Sequence, residues 1–337
     1  MTDLLNAFVL LSNFVFIPAI TYGAQLALGA LGVTLIYAVL RFSNFAHGDL
    51  MAFGTAGAIL ATWFLQGRGI GLGPLPTALL ALPFGIAAAC ALALGTDRLV
   101  YRFYRRQRSA PVVFVMASLG VMFICNALTR FVIGVDDRRF EDGERFIVRV
   151  ADFRAMTGLD QGLALRSSQV ITVAVMLAVT AAVFWFLQKT RTGKSMRAYS
   201  DNEDLALLSG INPDRVVLIT WMLAAALATI AGTLYGLDKS FRPFIYFQLL
   251  LPIFASAIVG GIGQPFGAVV GGFIIAFAEV ILTYALRGAL ALVLPEGLMP
   301  AGLVQILSTD YKFAVSFIIL VAVLLIRPTG IFRGRVI

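Results

Sequence analysis

The sequence predicts an all-α polytopic membrane protein: a bundle of about 8–10 transmembrane helices, each near the ~20 residues that span a bilayer, with a broken or re-entrant segment. Composition is the first reason. Of 337 residues, 60% are hydrophobic and 13% charged, and mean hydropathy is +0.91. A soluble domain is nearer half apolar and a quarter charged. Run length is the second. The apolar stretches are long and unbroken, whereas barrel strands of about 10 residues alternate in polarity. The third is charge placement, because basic residues collect in short connections between apolar runs. The whole chain, 1–337, reads as one membrane domain with a cytoplasmic loop, 188–215, set into it.

In chain order, residues 4–20 form the weakest span, with Pro18 near its end. Residues 21–40 form a stronger one, and Gly23, Gly29 and Gly32 within it allow helix backbones to approach closely. A polar stretch, 41–49, separates it from the span at 50–65. A glycine- and proline-rich loop follows at 67–76, then a span at 77–94 and a loop with Arg98, Arg102, Arg105, Arg106 and Arg108. Residues 111–133 span and carry Asn126, and 134–168 is the longest polar connection. Spans at 170–187 and 216–237 flank the loop 188–215. Residues 248–259, the glycine turn 260–267 and residues 268–286 form an apolar hairpin or a re-entrant unit. The last span, 313–326, leads into a tail with Arg327, Arg333 and Arg335.

Short basic loops mark the cytoplasmic side. With 98–108 inside, 134–168 lies outside and 188–215 inside, where Lys189, Arg191, Lys194 and Arg197 independently agree. The basic tail also lands inside, provided 248–286 crosses twice. Counted backwards, Arg41 is inside and 67–76 outside. The net charge of +8 is then a topology signal. No nucleic-acid partner is expected.

Several chemistries are poorly supported. Cys90 and Cys125 both lie in apolar runs and read as small buried hydrophobes, without a disulfide framework or metal site. The only histidine, His47, excludes a multi-histidine zinc centre and leaves a single base for any Ser–His pair. Gly193-Lys194-Ser195 looks like the end of a phosphate-binding loop, but Gln188 stands where that motif needs glycine and no strand precedes it. Neither an enzyme nor a cofactor is expected. ATP hydrolysis, if it drives the protein, belongs to a separate chain. The N-terminus lacks a basic leader region, so the first apolar run is expected to be retained.

The candidate functional residues fall in three places. Asn44, His47, Gly48 and Asp49 sit between membrane-length segments, where polar groups either turn in water or line a protected path. Glu279 lies at membrane depth, as does Asn126. Glu279 faces a path, or pairs with Arg287 near the outer interface. In the cytoplasmic loop, Ser200, Asp201, Asn202 and Glu203 have capping-box spacing, Leu205 and Leu208 follow, and Gly210 suits a helix end. That pattern predicts a short helix exposing two leucines. It either rests on its own membrane domain or docks into a partner.

The run Asn44-Phe-Ala-His-Gly-Asp49 resembles a block of the permease subunits of bacterial branched-chain amino-acid ABC transporters, the LivH type. Three further blocks match in order: residues 191–215, residues 258–279 with their glycine turn, and residues 317–331. The resemblance covers nearly the whole chain and departs at 134–168 and 289–310. It implies a multi-pass protein of the bacterial inner membrane that forms a translocation path for branched-chain amino acids or related small polar solutes. Its implied partners are ATP-binding subunits, a second permease of LivM type, a periplasmic substrate-binding protein and the lipid membrane. The helix at Ser200–Gly210 then becomes the coupling element to the ATPase, and Asn44–Asp49 a gating element at the inner mouth, a broken helix in which Asn44, His47 and Asp49 satisfy the freed backbone groups and Gly48 allows the bend. Two alternatives stay open: an ABC permease for urea or short-chain amides, and a proton-coupled secondary transporter using His47, Asp49 or Glu279.

Overall fold

A computed structural model of the chain describes residues 2–73, 75–140, 145–284, 307–308, 311–327 and 329–332. Arg287, Arg333 and Arg335 lie outside them, as do Glu141, Asp142 and Glu144 of the outer connection.

The chain begins with one helical rod, Thr2–Leu40, 39 residues long. It consists of α1 (Thr2–Leu11), a π turn (Ser12–Phe16) and α2 (Ile17–Leu40). At 1.5 Å per residue it measures about 58 Å, well over the ~30 Å hydrocarbon core. The expected segments 4–20 and 21–40 are therefore one continuous helix. Pro18 does not end a helix. It occupies the first turn of α2, where a missing N–H is tolerated, and the wider π turn just ahead makes room for its ring.

The other long helical runs are α3 (His47–Gly67), α4 (Ala78–Thr96) with its continuation through a second π turn (Asp97–Tyr101) into α5 (Arg102–Arg106), and α6 (Pro111–Ile133). The outer connection holds β1 (Phe146–Val148), α7 (Val150–Thr157) and β2 (Leu165–Arg166), the strands pairing antiparallel. Next come α8 (Ser167–Lys189), the short helices α9 (Arg191–Asp201) and α10 (Glu203–Leu208) of the loop expected on the cytoplasmic side, then α11 (Pro213–Asp238), α12 (Pro243–Gly260), α13 (Pro265–Thr283) and α14 (Lys312–Ile326). Among the described residues, eight runs are long and apolar enough to cross a membrane, and α14 is a shorter apolar helix. Because α12 and α13 are both among the eight, the expected apolar unit is a helical hairpin of two membrane-length helices, Pro243–Gly260 and Pro265–Thr283.

Helix α2 is the hub, packed by α8, α11, α12 and α13. Its glycines set the spacing. A Cβ on Gly23 would stand 2.6 Å from the Phe273 ring of α13, and one on Gly29 would stand 2.8 Å from Ile253 of α12. Gly272 returns the fit, its would-be Cβ 2.6 Å from the Ala27 backbone. Small residues replace bulk here because lipid offers helices no hydrophobic drive to associate, only packing.

Contacts between loops sort by the two sides that charge predicts. On the outer side, Arg242 holds Asp137 through both carboxylate oxygens, Arg138 and Phe241 pair backbone to backbone, Trp63 donates to the Arg139 carbonyl, and Asn13 bonds the backbone at Gly162 and Ala164. On the inner side, Arg102 meets Asp214 at 3.2 Å, Arg41 reaches the Ser200 carbonyl, and Ile331 bonds Val259 backbone to backbone. Apart from Asn13, which lies within the expected span 4–20, each of these joins segments expected on the same face.

Candidate functional site

The stretch 41–49 is a short irregular loop, 41–46, followed by the first residues of α3. Arg41 makes the bend: its backbone is left-handed (φ 59°), and its N–H returns to the Tyr37 carbonyl at 3.0 Å. Gly48 does not bend. It lies in the first turn of α3, and lacking a side chain it admits the Tyr246 carbonyl of α12, which a Cβ would approach to 2.7 Å. Asn44 closes a local turn by accepting the Ala46 N–H at 3.2 Å, and the same oxygen accepts the Tyr101 hydroxyl at 3.2 Å. The Phe45 N–H donates to Ser118 Oγ at 3.2 Å. Asp49 accepts Asn126 Nδ2 at 2.6 Å, joining α3 to α6. Loop and helix start are thus pinned from α4–α5 and α6.

His47 is fully buried against α2, where a Cβ on Gly32 would stand 2.8 Å from its Cε1. Neither ring nitrogen has a well-formed hydrogen bond among the described residues. It therefore packs, and leaves the freed backbone groups to Asn44. Tyr101, the partner of Asn44, stacks on Trp221 with ring centroids 5.1 Å apart. Trp221 donates to Asp97 at 2.9 Å, and Asp97 is held by Arg105 at 3.0 Å. This chain of side chains carries the loop's support out to the basic inner surface.

The cytoplasmic arm is two helices rather than one. Thr190 caps α9 by accepting the Gly193 N–H at 3.0 Å, so Gly193-Lys194-Ser195 is an ordinary helix start. Ser200 does not cap the second helix; it lies in the last turn of α9. Asn202, with extended backbone, accepts the Leu205 N–H at 3.0 Å and caps α10. Glu203, the other half of the expected box, accepts the Tyr199 hydroxyl at 2.6 Å instead. Burial and the Glu203 carboxylate hold that hydroxyl well above the ordinary phenol range, so it stays a donor. Helix α10 buries Ala206 and exposes Leu205 and Leu208, at 61% and 85%. Gly210 (φ 79°) reverses the chain, and Asn212 caps α11. A cavity of about 180 Å³ lies between α2, α9 and the glycine turn, lined by Leu35, Val39, Met196, Arg197 and Gln264 among others.

Glu279 lies at the outer end of α13 and is fully buried. Its observed partners come from α14: Ser316 donates to one oxygen, and Lys312 Nζ lies 3.7 Å from the other. The lysine also sits 3.7 Å above the Tyr22 ring, and Lys239 approaches the same ring at 5.4 Å. The expected pairing with Arg287 falls outside the described residues.

A family model described as branched-chain amino acid transport system / permease component matches residues 16–324. The chain belongs to this family. It is 30% identical over 318 residues to the high-affinity branched-chain amino acid transport system permease protein LivH of Escherichia coli, covering 93% of this chain and 92% of that one. It is 28% identical over 320 residues to the permease protein BraD of Pseudomonas aeruginosa, covering 94% of each. Among solved structures, PsaBC from Streptococcus pneumoniae covers 93% of this chain and 91% of its own at 11% identity and a TM-score of 0.48, a likeness too low to carry an argument.

In this ABC permease the sequence-marked residues do not converge on one site. Asn44, His47, Gly48 and Asp49 gather at the inner start of α3. The segment from Ser200 to Gly210 forms an arm on the same face. Glu279 stands apart, 14 residues up α13 from its inner end, or about 21 Å of helix rise. Tyr101, Ser118 and Lys312 are partners that residue type alone did not mark. The available signal was weak: a lysine opening the last apolar run, and a tyrosine inside a basic loop.

Proposed function

We propose that this chain is one of two membrane subunits of an importer for branched-chain amino acids, powered by separate ATP-binding subunits and fed by a substrate-binding protein outside. The observation that carries the reading is α10: a capped, six-residue helix on the expected cytoplasmic face with three exposed leucines, Leu205, Leu207 and Leu208, in a chain of the permease family. Exposed leucines at an aqueous surface mark a docking site. Helix α10 is the part that inserts into the ATPase. The loop 41–46 with the first turn of α3 is the inner gate, its position held by Asn44 and Asp49. A second permease of LivM type completes the pathway.

The runner-up among ABC solutes is urea or a short-chain amide, distinguished by competition against leucine uptake. A proton relay through His47, Asp49 and Glu279 finds little support, because His47 packs at Gly32 of α2 and the Lys312 partner of Glu279 at Tyr22, ten residues or about 15 Å of helix rise apart. Co-expression of this chain with candidate ATPases tests the coupling assignment. Leu208→Asp should abolish co-purification of the ATPase while leaving membrane insertion intact. Normal co-purification would sink it.

A further inference from the structure

We infer that Arg41 is a positioning residue that transmits movement of the coupling helices to the inner gate. The inference rests on the proposed docking of α10 to an ATPase and adds the route by which that docking reaches the pathway.

Arg41 belongs to the gate by chain and to the arm by contact. Its backbone forms the bend that ends α2. Its guanidinium donates to the Ser200 carbonyl. Ser200 is the penultimate residue of α9, so its carbonyl is among the four at a helix end that have no intrahelical donor. A cation there also meets the negative end of the helix dipole. The contact is therefore a charged C-terminal cap on α9, supplied from another part of the chain. Among the described residues, only Arg41 and Arg108 are non-glycine positions with positive φ. A side chain held in that sparsely populated region needs support from its surroundings, and such positions cluster at switch regions.

Both ends of the link are stiff. On the arm, Tyr199–Glu203 and the Asn202 cap tie α9 to α10, so a push on Leu205 and Leu208 moves α9 with α10. On the gate, Arg41 is followed within a few residues by Asn44, Phe45 and Asp49, whose partners come from Tyr101, Ser118 and Asn126. The covalent routes from α9 run to α8 and α11. The Arg41 contact reaches the α2–α3 loop directly.

The test is hydrogen exchange on the complete complex with its ATPases, with and without ATP, for the unsubstituted chain, Arg41→Ala and Arg41→Lys, beside uptake per ATP hydrolysed in proteoliposomes. In the unsubstituted complex, ATP should change exchange both in α9–α10 and at residues 42–47. In Arg41→Ala the α9–α10 response should remain, the response at 42–47 should vanish, and uptake per ATP should fall about tenfold, within the range of a lost coupling contact. Arg41→Lys, which keeps the charge, should restore part of both. An equal response at 42–47 in Arg41→Ala, or uptake and hydrolysis falling in parallel, overturns the role of Arg41 alone. No ATP response in α9–α10 of the unsubstituted complex removes the coupling assignment, and the Arg41 link with it. The exchange readout needs no knowledge of the substrate.

Discussion

Asn44 illustrates how much one side chain settles in the loop between α2 and α3. Its oxygen serves a local N–H and the Tyr101 hydroxyl together. Asn44→Ala leaves both donors unpaired in a buried setting and should lower stability by about 1–3 kcal/mol. Tyr101→Phe removes only the hydroxyl and should cost less, about 1 kcal/mol. Thermal unfolding in detergent ranks the two. His47→Gln should leave the pH profile of transport unchanged, since the ring is packed and has no ionic partner among its recorded contacts; a shifted profile would restore titration. The residue types at 44–49 were legible in the sequence as polar groups between spans. Their roles were not. Gly48 read as the bend because glycine tolerates positive φ, yet Arg41 takes that conformation. Partners such as Asn126 lie a whole span away, so no local pattern could pair them.

Among the elements, the cytoplasmic arm separates what local rules fix from what tertiary contacts override. The helix, its exposed leucines and its glycine end were all readable in the sequence. The cap was misplaced because Ser200 and Asn202 both suit that position, and the spacing to Glu203 favoured serine. Tyr199 decides the matter by taking the Glu203 carboxylate from one turn back. Asn202→Ala should therefore cost about 1 kcal/mol and speed hydrogen exchange in α10, while Ser200→Ala should be near neutral. The reverse order would reinstate the serine cap. The first rod teaches the complementary lesson. Pro18 is a breaker in any window of sequence, and only the π turn before it lets the helix run on.

Across the whole molecule, hydropathy and charge determined the topology because both are set by the bilayer rather than by distant contacts. The number of long apolar helices among the described residues and the pair α12 and α13 follow from them. The small β-hairpin and α7 of the outer connection do not, since nothing in a short polar segment announces its pairing. Outside, Arg242 holds the Asp137 carboxyl below its usual range. That brace is in place above the ordinary aspartate pKa and is lost as pH falls through the lowered one. Both groups are exposed, so salt should weaken it too. Arg242→Ala should raise hydrogen exchange at residues 134–140 at neutral pH, and the unsubstituted protein should match it in acid. Inside, the proposed gate and arm form one mechanical unit driven by another chain. The most direct test is uptake of labelled leucine by proteoliposomes carrying the permease with its ATPases and binding protein. We predict uptake that requires ATP and the binding protein and collapses with Leu208→Asp. Uptake by this chain alone, driven by a proton gradient and indifferent to ATP, would contradict it.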